Sequence, residues 1–189
     1  LVEEVEDLLQ RLTVDPQSQG IIIQLPLPAH LKSEELLKFI PATKDVDVLT
    51  ATACVLSPVA GAVAEILTSE KIKLSGIRAV VVGKGRLVGQ PVAVWLTKAG
   101  AQVTVADSKT TDLAGLLQTA DIVVTGIGRP HFIKPEMLRE GVVLIDAGTS
   151  ESDGSVVGDA DPTCASKCSI FTPVPGGVGP LTVAKLFEN

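Results

Sequence analysis

Four apolar, β-branched runs, Ile77–Val82, Gln102–Ala106, Asp121–Thr125 and Val142–Asp146, recur along the chain with a helical or loop-like segment between each pair. That alternation constrains the fold more than any other feature. Strands separated this way are too far apart for tight hairpins, so they pair in parallel through crossovers, and their sheet must be covered by helices. Leu87–Ala99 and Thr111–Thr119 carry the helical patterns that follow the first two strands. Ser169–Thr172 reads as one more strand and Val178–Glu188 as a closing helix.

The first strand runs directly into Gly83-Lys84-Gly85-Arg86-Leu87-Val88-Gly89, after which the helical pattern begins. Glycine is needed in such a loop because a side chain blocks both the tight turn and the approach of backbone N–H groups to a pyrophosphate at a helix N-terminus. The third glycine lies six residues after the first instead of five, so the bare spacing matches the dinucleotide fingerprint weakly. Its context is stronger. A strand precedes it, a helix follows, and Asp107 ends the next strand, where a carboxylate can accept hydrogen bonds from ribose hydroxyls. The expected architecture is α/β: a Rossmann-like parallel sheet with helices on both faces, holding NADP or NAD. Asp107 favours NAD, since it repels a 2′-phosphate, whereas Lys84, Arg86 and Ser108 are suited to holding that phosphate.

The chain before this region is less regular. Val2, Val5, Leu8, Leu9 and Leu12 recur at helix spacing from the very start, and with no methionine at Leu1 an upstream segment is expected. Gly20–Leu25 reads as a short buried strand stopped by Pro26 and Pro28. Ser33, followed by Glu34 and Glu35, has the form of an N-cap for a helix to about Ile40. Pro41–Thr50 is an irregular connection, and Ala60–Ser69 another helix. The divisions expected are residues 1–56, an incomplete α/β substrate domain; 57–172, the dinucleotide-binding domain; and 173–189, a ligand loop with the final helix.

Composition excludes several partners. Among 189 residues the net charge is −6, which argues against a nucleic-acid surface or an anionic membrane. No apolar run approaches the roughly 20 residues of a membrane span. The three cysteines, Cys54, Cys164 and Cys168, and two histidines, His30 and His131, show no zinc-site grouping, so reduced thiols and no metal are expected. The protein reads as cytoplasmic, with small-molecule partners.

Three further segments sharpen the reading: Gly20-Ile-Ile-Ile-Gln-Leu-Pro-Leu-Pro28, Lys44-Asp-Val-Asp47 and Pro173-Val-Pro-Gly-Gly-Val-Gly-Pro-Leu-Thr182. Together with Val81–Pro91, and in the same order, they resemble the signature blocks of the bifunctional methylenetetrahydrofolate dehydrogenase/methenyltetrahydrofolate cyclohydrolases. The similarity runs from about Leu8 to the C-terminus. It implies that residues 1–56 are what remains of a folate-binding catalytic domain. Gln24 and Asp47 are then the catalytic candidates, with Asp47 receiving the paired N–H donors of the pterin ring. Leu25, Pro26, Pro175, Gly176 and Gly177 join them as substrate-binding positions. The implied cofactor contacts are Gly83, Lys84, Gly85, Arg86, Val88 and Gly89, followed by Pro91, Asp107 and Ser108. To these the resemblance adds Gly126, Gly148 and Thr182, the last as the start of the final helix.

The implied chemistry is hydride transfer from 5,10-methylenetetrahydrofolate to NAD(P), then hydrolysis of the methenyl product to 10-formyltetrahydrofolate, by a homodimer. Departures are also visible. The family's catalytic lysine lies in a tyrosine-to-lysine helix upstream of Gly20, and these residues contain no tyrosine, so poor turnover by them alone is expected. Val48 stands where the family usually has glycine, Lys84-Gly85 where Arg-Ser is common, and Asp107 where His is frequent. The rival readings are a non-catalytic dinucleotide-binding fragment or paralogue, and a dehydrogenase of the shikimate or amino-acid type, which has no need of the Pro175–Pro180 block.

Overall fold

The computed structural model describes residues 2–50, 52–152 and 154–189. They form two compact units, one running to Pro58 and taking in Leu186–Asn189, the other Val59–Lys185.

In the first unit, α1 spans Val2–Val14 and α2 Ser33–Leu36, the latter extended by a 3-10 turn at Leu37–Phe39. Leu1, where the helical pattern starts in the sequence, lies outside the described residues. Leu9 on α1, Leu36 and Leu37, and Ile21, Ile23, Ile40 and Leu49 from irregular segments make one small core. Two expectations fail here. The N-cap of α2 is Lys32, without a side-chain cap, and Ser33 is already helical. Residues 20–25 are extended but form no strand: Ile21 and Ile23 are buried while Ile22 and Gln24 are exposed. Within this stretch Ile21 N–H donates to Lys44 O at 2.8 Å, but no ladder follows. A strand needs a paired neighbour, and none of the described residues supplies one. Lys44 also ties down α1, its Nζ donating to the carbonyls of Leu12 (2.9 Å) and Asp15 (2.8 Å) at the helix C-terminus.

The second unit begins with α3 (Pro58–Ser69), of which Val59 onward belongs to it. There follow β1 (Arg78–Val82), α4 (Gly89–Lys98), β2 (Gln102–Ala106), α5 (Leu113–Thr119), β3 (Ile122–Thr125) and β4 (Val142–Asp146). A two-stranded hairpin, β5 (Ser150–Ser152) and β6 (Ser155–Val157), precedes β7 (Cys168–Phe171) and α6 (Val178–Glu188). The five-stranded sheet has the order β2-β1-β3-β4-β7 and is parallel throughout. Its central strands β1, β3 and β4 are buried on both faces, while the edge strands β2 and β7 are partly exposed. Ala79 and Val81 face a cluster with Val63 and Leu67 of α3 and Val92 and Leu96 of α4, while Val80 and Val82 face Leu117 of α5, Ile133 and Leu138. Between β3 and β4 the connection holds only a 3-10 turn at Pro135–Met137 in place of a full helix. The hairpin was not legible in the sequence. Thr182 does not start α6: the helix begins at Val178, and the Thr182 hydroxyl donates back to the Val178 carbonyl at 3.0 Å.

Candidate functional site

The carboxyl ends of β1, β2 and β3 open onto a cavity of about 440 Å³, a size suited to a nucleoside moiety. Its wall brings together Gly83 and Lys84 from the glycine loop, Asp107 and Ser108 after β2, and Arg129 and Phe132 after β3. Two glycines are sterically required. Gly83 has φ +104°, and a Cβ there meets Ile127 Cγ2 at 2.8 Å; a Cβ on Gly89 collides with the Gly83 carbonyl. The loop therefore presents bare backbone at the start of α4, the cradle that a pyrophosphate needs. On this geometry the residues present fit NAD(P).

Charge around the cavity is balanced locally. Lys84 Nζ bonds Asp107 Oδ2 at 2.5 Å, and Lys109 N–H donates to Asp107 Oδ1 at 2.9 Å. Lys84 foremost, with the Lys109 amide, holds the Asp107 carboxyl below the usual carboxylate range. Asp107 is thus paired with Lys84, and part of the repulsion toward a 2′-phosphate expected of it is offset by that partner. The Arg129 guanidinium lies 4.2 Å from the centre of the Phe132 ring, within cation–π range.

Behind the cavity is a buried acidic pair. Asp159 accepts from the Thr125 hydroxyl (2.8 Å), Ile127 N–H (2.7 Å) and Arg129 N–H (2.7 Å), so it shapes the loop that carries Arg129. Asp146, at the end of β4, accepts from the N–H groups of Gly148 (2.9 Å), Asp159 (3.2 Å) and Ala160 (2.8 Å). Burial raises the Asp146 carboxyl above its ordinary value, and these amides pull against that shift.

The remaining cofactor candidates do not line the cavity. Gly85 and Arg86 are exposed, and Pro91 lies in the first turn of α4. Val88 packs where a Cβ on Gly126 would fall, and Gly148 is pressed against the Asp159 carboxylate. Sequence reasoning missed Arg129, Phe132, Asp146 and Asp159. The available signal was polar residues at the carboxyl ends of β3 and β4 and in the loops beyond them, where open parallel sheets bind ligands.

In the first unit the folate candidates sit on irregular backbone. Gln24 is exposed, and among the described residues its amide donates to the neighbouring Leu25 carbonyl at 3.1 Å. Asp47 is half-buried and, among the described residues, has neither a hydrogen-bond nor an ion-pair partner. Burial foremost, then the nearby Asp45 charge, pushes its carboxyl up from the usual range. Asp45 itself is buried, accepting Leu49 N–H at 3.0 Å on one oxygen and Thr50 N–H at 2.7 Å on the other. Directly after Asp47, Val48 has φ +57°, a left-handed conformation that costs a β-branched residue about 1–2 kcal/mol. Pro175, Gly176 and Gly177 belong to the second unit; Gly176 turns the chain with φ +103°.

Comparison with known proteins decides the family. Residues 45–189 match the family model described as tetrahydrofolate dehydrogenase/cyclohydrolase, NAD(P)-binding domain, and residues 2–47 match the corresponding catalytic domain. The chain belongs to the tetrahydrofolate dehydrogenase/cyclohydrolase family. Within that family it is 40% identical to the bifunctional protein FolD of Campylobacter fetus, covering 98% of this chain and 70% of the relative. The FolD of Bordetella avium is 42% identical over 97% of this chain and 69% of its own. The crystal structure of the bifunctional FolD methylenetetrahydrofolate dehydrogenase/cyclohydrolase from Campylobacter jejuni superposes with a TM-score of 0.95 at 35% identity, over 99% of this chain and 71% of that one. The FolD of Trypanosoma brucei, solved with NADP cofactor and an inhibitor, gives 0.94 at 34% identity, over 100% and 70%. Family membership makes the second unit an NAD(P)-binding domain. Among the described residues no helix is long and apolar enough to cross a membrane.

Proposed function

We propose that this chain catalyses the oxidation of 5,10-methylenetetrahydrofolate by NAD(P) to 5,10-methenyltetrahydrofolate and the hydrolysis of that product to 10-formyltetrahydrofolate. The observation that carries the reading is Asp47: a half-buried carboxylate with no donor of its own, in a chain that also holds a glycine-lined nucleotide cavity. Leaving a charge so placed is costly unless a ligand completes it, and the adjacent ring N–H and exocyclic amine of a pterin match its two oxygens. The dual activity in the name of the Campylobacter jejuni relative and the NADP held by the Trypanosoma brucei relative support the assignment.

NAD(P), when bound, supplies the hydride acceptor. The chain's own residues bind and orient. Gly83 and Gly89 admit the pyrophosphate; Lys84, Ser108 and Arg129 hold the adenosine end; Asp47 fixes the pterin. Gln24 presents an amide to the one-carbon unit, and in the second unit Pro175–Gly177 supply a rigid backbone that a ligand can approach closely. Leu25 and Pro26 flank Gln24 in the same role. The protein acts in the cytoplasm as a homodimer. Three free cysteines favour a reducing compartment, and exposed Val94 on α4 with exposed Val105 on the edge strand β2 offers an apolar surface to a second copy.

Calorimetry with NADP, NAD and 5-formyltetrahydrofolate tests the core of this. Gly83→Val abolishes nucleotide binding and spares the folate; Asp47→Ala weakens the folate at least about tenfold, the loss of a charge-assisted bidentate contact, and spares the nucleotide. A folded protein that binds nucleotide but no folate is instead a dinucleotide-binding module.

A further inference from the structure

The turn that carries Asp47 is held in place by a residue with no direct access to ligand. Asp45 is 2% exposed, and each of its carboxylate oxygens takes one backbone N–H, from Leu49 and from Thr50. Its own carbonyl accepts from Val48 N–H at 3.4 Å. Three successive amides thus fold over one aspartate, and the residue they enclose, Val48, is left-handed at φ +57°. Valine disfavours that conformation and glycine does not, so in this chain the turn persists because the Asp45 contacts over-determine it. Asp47 immediately precedes the strained residue.

We propose that Asp45 is a positioning residue for the folate site: its grip on Leu49 and Thr50 keeps Val48 left-handed and so presents the Asp47 carboxylate to the pterin. This rests on Asp47 being the pterin acceptor. The same contact has an electrostatic side, because Asp45 is the charged group set against Asp47 and its negative charge opposes ionisation there. Asp45 therefore trades some acid sensitivity at Asp47 for geometry. Val48 makes the device necessary; with glycine at that position the turn forms unaided.

The experiment measures binding of 5-formyltetrahydrofolate and of NADP by the intact protein from pH 4 to 8, in Asp45→Asn, Val48→Gly, the double variant and Asp47→Asn. Asp45→Asn keeps one acceptor and loses the charge. It weakens folate binding about tenfold, or ~1.4 kcal/mol, leaves NADP unchanged and moves the acid midpoint of folate binding to lower pH. Val48→Gly in the Asp45→Asn background restores the affinity and leaves the midpoint displaced, which a merely structural role for Asp45 does not produce. If Asp45→Asn is too unstable to study, the double variant still reads the midpoint. An unmoved midpoint, or an equal loss of folate and NADP affinity, overturns the proposal. Unchanged folate binding in Asp47→Asn overturns the underlying assignment of Asp47, whereas loss there with none in Asp45→Asn overturns this inference alone.

Discussion

Asp107 and Asp47 are both carboxylates at expected ligand sites, and the structure treats them in opposite ways. Asp107, after β2, is clasped by Lys84 and the Lys109 amide, and its carboxyl is held low. Asp47, on the turn after Asp45, is half-buried without a partner among the described residues, and its carboxyl is pushed up. The nucleotide region is complete in itself: its sheet is paired, its acids are satisfied and its glycine loop is locked. The folate region keeps an open acceptor on irregular backbone. One site is built to receive a cofactor with little rearrangement; under the proposed assignment the other completes its hydrogen bonding with the ligand.

Removing the internal satisfaction of the nucleotide region tests that contrast most severely. Asp159→Ala strands the Thr125 hydroxyl and the Ile127 and Arg129 amides, at a cost of about 3 kcal/mol. Thermal melting should show the loss in stability, NADP binding should fall with it, and folate affinity in the folded fraction should be unchanged. A melting point equal to wild type means that the acids behind the cavity do not organise it.

A smaller effect is expected at Asp107. Asp107→Asn removes the charge facing a 2′-phosphate and frees Lys84 to meet it, so the NADP-to-NAD affinity ratio should rise several-fold, measured by paired titrations at low salt. An unchanged ratio puts specificity in Arg129 and Ser108 and takes Asp107 out of it.

The smallest effect concerns the thiols, which also divide between the two regions. In the second unit burial pushes Cys164 up to about 12 and Cys168 up to about 11, whereas Cys54 in the first is exposed. At pH 8 a thiol reagent should therefore modify one cysteine rapidly in native protein and all three after denaturation. Rapid modification of Cys164 or Cys168 shows that the second unit opens more readily than its packing implies.

What could be read from the chain depended on whether a pattern is local. The central strands β1, β3 and β4 were legible because each is a β-branched run buried almost throughout, which leaves a continuous apolar signature, and the edge strands β2 and β7 followed from their place in the same alternation. The same rule misled at residues 20–25. Ile21–Ile23 has that signature, yet only alternate side chains are buried, and sequence cannot report whether a partner lies beside a strand. The β5–β6 hairpin has three residues in each strand, too short a run to carry a signal. At the candidate cofactor site, Gly83, Gly89 and Asp107 stood out because backbone clearance and the end of a strand are local properties.

By itself, then, the sequence determined the parallel α/β unit and the position of the glycine turn, since these follow from side-chain periodicity and from conformations that glycine adopts; the motifs of the folate region were legible through their resemblance to the family's signature blocks. Tertiary structure alone decided that Lys84 meets Asp107 across adjacent strands, that Arg129 and Phe132 share their cavity because β3 lies beside β1, and that Asp159 organises that loop from 30 residues away. It also decided that Asp45 is bonded and Asp47 is open. Two aspartates separated by one valine look equivalent in a sequence; burial and the direction of a few backbone amides satisfy one and leave the other without a partner among the described residues.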